Sequence, residues 1–187
     1  QQKAVFTISG PATGRKSVYR GVVVEIEQTG RVMGWELYRV VLMPAMTGLA
    51  KSIQSEIYID SLPIPEVVKK IFVDALYPPV MRPTPLRWPD EPSPFICQYE
   101  ESLLDFATRL MEREGLYYFF EEEEGRESVV IACSKSAHKP IGAPFVYHEA
   151  ALQDEAYDES AIPVLFMRRQ ILPRQVVLKS YNYQKSS

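Results

Sequence analysis

His138 and His148 are the two imidazoles of the chain, both in a loop-rich stretch. A zinc site takes three or four ligands at short spacing, often two of them on one helix face. No cysteine or acid is placed to complete such a set, so each histidine reads as a surface or half-buried side chain. Glu121, Glu122, Glu123 and Glu124 form an acidic run. A calcium cage wants oxygens at alternating positions around a glycine bend, whereas adjacent glutamates at a strand end point to opposite sides. A solvated hairpin tip is the better account. Carboxylates are numerous enough to flank a sugar as a catalytic pair, which leaves a wall-degrading hydrolase open, but no acid stands in an apolar stretch that would bury it. There is no GxSxG elbow, no GxxxxGK[ST] loop and no GxGxxG loop. The aromatic run Tyr117–Phe120 has the rings to stack bases, yet lacks basic interleaving, and an acidic run follows it; core packing is favoured. Cys97 and Cys133 could pair only with each other, and two buried thiols in a reducing compartment is the simpler reading. These residues nominate no catalytic, cofactor-binding or metal-binding set.

Composition agrees. The 187 residues suffice for one large domain or two small ones with a real core. A hydrophobic content of 46% and a charged content of 24% are ordinary for a soluble globular protein. A net charge of -3 gives no reason to expect nucleic acid. No run approaches the roughly 18 apolar residues of a membrane span. The opening, QQKAVFTISG, lacks the charged and apolar regions of a secretory signal; it reads as mid-strand, without an initiating Met, as in a piece of a longer chain.

The elements follow from periodicity. Lys3–Ser9 reads as a strand, turned at Gly10, Pro11 and Gly14. In YRGVVVEIEQTG, Val22, Val24 and Ile26 alternate with Gly21, Val23, Glu25 and Glu27, which predicts a two-faced strand. Gly30 and Gly34 bracket a turn, and Trp35–Met43 returns as its hairpin partner, stopped by Pro44. Glu56–Ile59 reads as a short strand. In IPEVVKKIFVDAL, Pro65 and Glu66 suit a first helical turn. Val67, Val68, Ile71, Phe72, Ala75 and Leu76 make one apolar stripe, and Pro78 and Pro79 end it. PPVMRPTPLRWPDEPSP reads as an ordered extended crossing anchored by Val80, Met81, Leu86 and Trp88; a proline-rich docking ligand is the alternative.

The densest signal is CQYEESLLDFATRLMEREGLYYFFEEEEG, Cys97–Gly125. Ser102 caps a helix and Asp105 completes a capping box. Leu103, Phe106, Ala107, Leu110 and Met111 form its buried face; Glu101, Asp105, Arg109, Glu112 and Arg113 line the other, with Asp105 and Arg109 spaced for an ion pair. Gly115 is a left-handed stop. Leu116–Phe120 is apolar on both faces and should be a central strand, with Tyr118 and Phe120 buried and Glu121–Glu124 exposed. Ser128–Cys133 is the return strand. Ser134–Ala161 is loop-like, with a short strand at Phe145–His148 and an acidic stretch at Leu152–Ser160. Val164–Ile171 and Gln175–Tyr183 read as two closing strands joined at Pro173. Strands and helices are segregated, an α+β pattern with antiparallel sheets.

The Cys97–Gly125 phrase closely resembles one that recurs in the VgrG proteins, the trimeric tip of the bacterial type VI secretion apparatus, which are similar in their base to the hubs of contractile phage tails. The matching positions are Cys97, Gln98, Tyr99, Glu101, Ser102, Leu104, Phe106, Arg109, Leu110, Glu112, Glu114, Gly115, Tyr118, Phe119 and Phe120. The hairpin around Gly34, the Pro65 helix and RRQILPRQVVLKSYNYQKSS resemble further family segments in the same order. Pro63 stands where the family often has a small polar residue, and Ser180 where it has Asp.

The resemblance implies a phage baseplate hub-like fold. Residues 1–52 and 162–187 would form a discontinuous first β-barrel domain leading towards a second barrel, and 53–161 an inserted α+β subdomain. It implies a structural component of a contractile injection machine, not an enzyme, with no cofactor. The full-length protein would be a homotrimer docked on a hexameric Hcp-type tube, meeting baseplate components and carrying effectors through C-terminal regions. It would be assembled in the bacterial cytoplasm and expelled by contraction into the medium or a target cell. A phage tail hub or late control protein of the same fold is the alternative.

Overall fold

The computed structural model describes residues 2–9, 16–59, 62–84, 88–123, 125–140, 146–147, 161–162, 165–171, 173–177 and 179. The chain divides into two compact units, Gln1–Pro140 and Ile141–Ser187.

The first unit opens with β1 (Gln2–Ser9), β2 (Lys16–Val32) and β3 (Trp35–Met43), an antiparallel sheet in the order β1-β2-β3. The turn is Met33–Gly34, both at positive φ. Gly30 therefore lies inside β2, not at the turn. β2 carries two bulges, at Val24 and Thr29, where the register with β3 slips. An extra residue reverses the faces beyond it. Val22 and Ile26 thus fall on opposite faces, contrary to the simple alternation: Val22 is 3% exposed and Ile26 64%. At Gly21 a Cβ would collide with the carbonyl of Met43, so the end of β3 passes over this point because no side chain is there.

A 3₁₀ turn (Ala45–Lys51) leads to β4 (Ile53–Tyr58), α1 (Ile64–Asp74), β5 (Val80–Arg82), β6 (Ile96–Ser102), α2 (Leu103–Glu114), β7 (Tyr117–Glu123) and β8 (Arg126–Ala132). Both helices form where the apolar stripes predict. Pro63 caps α1 with its carbonyl alone, accepting from Glu66 N–H at 3.0 Å. α1 ends when Leu76 adopts φ +66°, which turns its side chain out of the expected stripe to 85% exposure. Phe72, Phe106, Leu110, Met111 and Ile131 meet in one core, joined by Met46, Leu49 and Ile96. Met81 and Trp88 of the proline-rich crossing pack against it; Leu86 lies outside the described residues.

β4 pairs with β6 antiparallel, and a second sheet has the order β5-β8-β7. β8 is central and β7 an edge strand, the reverse of the prediction from its double apolar faces. Phe120 is accordingly 38% exposed. β5 runs parallel to β8, which departs from an all-antiparallel pattern. The chain between them, carrying β6, α2 and β7, is long enough for the crossover that parallel pairing needs.

In the second unit, β9 (Val146–Tyr147) and β10 (Ala161–Ile162) form a parallel pair. Phe145, His148 and the acidic stretch 152–160 lie outside the described residues. The closing strands are not formed at residues 165–171, 173–177 and 179. Phe166 is 91% exposed, and Ile171, Val176 and Val177 are exposed too. β-branched residues favour a strand only where a neighbour completes the ladder. The architecture is mixed α+β with mostly strands, and no closed barrel exists among the described residues.

Candidate functional site

The motif segment builds a strand–helix–strand knot from the sequence outward. β6 runs straight into α2 because Ser102 keeps an extended backbone while its Oγ accepts from Asp105 N–H at 3.0 Å. The same hydroxyl donates to Asp105 Oδ2 at 2.7 Å. This occupies Asp105, and Arg109 does not take it as partner. Arg109 instead reaches back to β6, where Nη2 donates to Glu101 Oε1 at 2.5 Å and to the Cys97 carbonyl at 3.0 Å. Its guanidinium lies 5.3 Å from the centre of the Phe106 ring. Phe106 and Leu110 are buried beneath, Tyr58 stacks on Phe106 at 5.6 Å, and Leu103 is half-buried. Gln98 is buried, with Nε2 donating to the Glu101 carbonyl at 3.0 Å; its Oε1 finds no partner among the described residues.

Gly115 at φ +70° ends α2 in a double bond pattern. Its N–H reaches the Glu112 carbonyl and the N–H of Leu116 reaches that of Met111. Only a residue tolerant of the left-handed region closes a helix this way without strain. Tyr118 turns inward against the core, edge-on to Phe120. Cys97, Gln98, Glu101, Ser102, Phe106, Arg109, Leu110 and Gly115 are thus brought together in the knot. Tyr99 is exposed, Glu114 faces Arg113, and Phe119 lies elsewhere. Both cysteines are free thiols, Cys133 buried and Cys97 half-buried.

Phe119 belongs to a second cluster that the sequence did not signal as a unit. Tyr117, Phe119 and Glu121 alternate on one face of β7, and Arg82 of β5 joins them. Arg82 grips Glu121 with both Nη atoms, at 2.7 and 2.6 Å, and also donates to the Ala137 carbonyl. Lys139 adds a third contact to Glu121 at 2.9 Å. The Arg82 hydrogen bonds and then Lys139 lower the Glu121 carboxyl from 4.5 to about 2. Glu121 is therefore no free hairpin tip, although Glu122 is exposed and pairs with Arg20 of β2. His138 lies tilted against Phe119 at 4.2 Å between ring centres, and its Nε2 lies 3.0 Å from the Tyr117 hydroxyl, which donates to the Ser134 carbonyl. The period-two spacing of Tyr117, Phe119 and Glu121 was the one local clue to this cluster.

Carboxylates line two clefts. Asp90, Glu91 and Glu114 border one of about 380 Å³, and Glu56 and Asp74 border one of about 540 Å³. Among the described residues no group of three or more His, Cys, Asp or Glu is arranged to hold a metal ion. Among the described residues no helix is long and apolar enough to cross a membrane.

Residues 1–187, the full length of the sequence, match the phage tail baseplate hub (GPD) family. The chain belongs to that family. The spike protein VgrG1c of the type VI secretion system of Pseudomonas aeruginosa is 26% identical over 181 residues, covering 92% of this chain and 23% of that protein. VgrG1a of the same organism is 26% identical over 186 residues, covering 92% of this chain and 26% of its own length. The actin cross-linking toxin VgrG1 of Vibrio cholerae is 34% identical over 91 residues, 49% of this chain and 8% of the toxin. The chain thus spans about a quarter of the length of the Pseudomonas relatives. In fold it is similar to the E. coli c3393 protein, a component of the type VI secretion system with structural similarity to the T4 tail proteins gp27 and gp5. That match has a TM-score of 0.61 at 20% identity and covers 78% of this chain and 39% of the other. The resemblance read from the Cys97–Gly125 phrase is thereby borne out.

Proposed function

We propose that this hub-family chain is the base portion of a spike that works by assembly, not by catalysis. The observation that carries the reading is the hub-family match along all 187 residues, with VgrG spike proteins among the relatives. In the full-length protein the base forms a homotrimer, sits on an Hcp-type tube, meets baseplate components and delivers effectors held by other regions. It is assembled in the bacterial cytoplasm and leaves by contraction. Residues 1–52 and 162–187 form the barrel-like body, and 53–161 the insertion. The exposed β1–β3 sheet and the exposed, strand-like sequence of 165–171 and 173–177 support that division. The knot is the insertion's rigid element; Cys97, Gln98, Glu101, Ser102, Phe106, Arg109 and Gly115 have a packing role.

The test uses the full-length protein. Deleting Lys3–Ser187 abolishes docking onto a purified tube and secretion, while any effector region stays active. Docking by the deleted protein, or peptidoglycan hydrolysis by the isolated chain, replaces this reading with the hydrolase one. Reconstitution with a phage tail tube in place of the secretion tube distinguishes the two machines.

A further inference from the structure

The β2–β3 hairpin outruns its sheet. β1 follows β2 as far as Val23, and beyond it residues 25–32 pair with 35–41 and with no third strand among the described residues. This arm is about 25 Å long, and every position from 24 to 40 except Gly30 is exposed. A ribbon of two strands is marginal by itself in water.

The tip of the arm breaks two local rules. A two-residue turn with positive φ at both central positions favours Asn-Gly, yet Met33 stands at φ +48° before Gly34 at φ +88°. Met33 is also 95% exposed, and Trp35 79%. A methionine that is both strained and solvated destabilises the isolated chain, and such an outlier points to a use for its side chain. Val32 lies opposite Trp35, and Leu37 follows on the same face opposite Gly30, so the turn carries an apolar surface. Trp and Met are enriched where interfaces are fully buried, and the tight turn presents them with little freedom left to lose.

The charges narrow the occupant. Residues 25–41 hold three acids and two bases. Both bases are paired, Arg31 with Glu36 at 3.1 Å and Arg39 with Glu27 at 3.7 Å. Nucleic acid and anionic bilayers draw basic surfaces, so this tip suits an apolar cleft in a protein. The chain itself has such a cleft, of about 540 Å³, between a face of β4 and α1. Leu49 and Ile71 of the core floor it, and Gln54, Glu56 and Asp74 offer oxygen acceptors beside that floor. A buried indole needs apolar surface for its ring and an acceptor for its N–H. A tip and a cleft at different places on one chain make a head-to-tail contact, the kind that closes a ring of copies.

We propose that the tip of the β2–β3 arm, anchored by Met33 and Trp35, docks into the β4–α1 cleft of a neighbouring copy of this chain. The inference rests on the homotrimer reading above and names the surfaces through which adjacent copies grip each other.

The test uses the full-length protein, co-expressed as Val32→Cys copies and as Gln54→Cys copies that carry a mass tag. A short bismaleimide should link one kind of copy to the other within the assembled trimer, and should not link trimers made of either kind alone. Trp35→Ala in the Val32→Cys copy should slow the linking at least about tenfold, as truncation of an anchoring aromatic does. Met33→Asn should slow it too, while the melting temperature stays the same or rises because Asn suits the turn; a merely structural Met33 would not separate these two readouts. An intact trimer whose copies do not link, or link at a rate indifferent to both substitutions, overturns the docking and leaves the trimer reading in place. A full-length protein that stays monomeric removes both. Cosedimentation with phosphatidylcholine vesicles that Trp35→Ala abolishes assigns the tip to a lipid surface and likewise overturns the docking.

Discussion

In the β1–β3 sheet, Phe6, Tyr19, Ile26, Tyr38 and Val40 are each more than half exposed, whereas between β6 and β8 the side chains of Phe106, Leu110, Met111, Val130 and Ile131 are out of water. Both regions carry aromatic and β-branched residues. The difference is the second layer. α2 lies against the β6–β8 region and α1 packs beside it, so apolar faces there meet each other. The first sheet has Val22 as its buried apolar residue and is tied to the β7–β8 hairpin by the pair Arg20–Glu122, while Ala45 N–H of the following 3₁₀ turn donates to Glu127. Burial pushes the Glu127 carboxyl upward. A sheet is stable when something covers a face. The knot supplies its own cover, and the first sheet has none among the described residues.

That contrast can be broken by mutation. Phe106→Ala should destabilise by about 3–5 kcal/mol in a denaturant melt, the range for emptying an aromatic core site, while Phe6→Ala moves the same transition by under about 1 kcal/mol. Equal losses would show the first sheet to be as buried in solution as the knot. Gly21→Ala should cost about 1–3 kcal/mol through overpacking against Met43, and hydrogen exchange should place the damage in β3 and leave α2 protected.

Smaller effects sharpen the picture within the knot region. α1 and α2 close with the same pair of backbone bonds, yet Leu76 occupies the left-handed position in one and Gly115 in the other. Gly115→Ala should lose about 1 kcal/mol and Leu76→Gly should gain up to about 1 kcal/mol, since only the leucine is strained there; calorimetric melts read both. Acid reports on Glu121. Its carboxyl sits lower in the folded chain than its ordinary 4.5, so the stability it adds is complete above that value and is lost as pH falls towards about 2. The melting-temperature gap between the native chain and Glu121→Gln should therefore be constant near neutrality and close across that acid window.

What was legible in the sequence was local. Ser102 with Asp105, Gly115, and Pro65 with Glu66 each fix a helix end through bonds within a few residues, and the stripes on α1 and α2 name the core. What was not legible depends on distant partners. Whether Tyr117–Phe120 lies at the centre or edge of a sheet is decided by β5, remote in sequence, which pairs with β8 and not with β7. Arg82 meets Glu121 only because β5 joins that sheet. The described closing residues, 165–171 and 173–177, have strand chemistry without a ladder to join among the described residues. The bulges in β2 left no mark, because Val24 and Thr29 are ordinary strand residues.

The two bulges of β2 also set a rule for insertions and deletions. Val24 shifts the sequence alternation by one and Thr29 shifts it back, so the four residues Glu25–Gln28 are out of phase with the strand on either side of them. Losing either bulge residue alone would leave every other pair with β3 in register, because each is the one without a partner. Losing a paired residue between them would instead slide the strand by one and turn its side chains to the wrong face. Length changes in β2 should therefore be absorbed at Val24 and Thr29 and not at the positions between them.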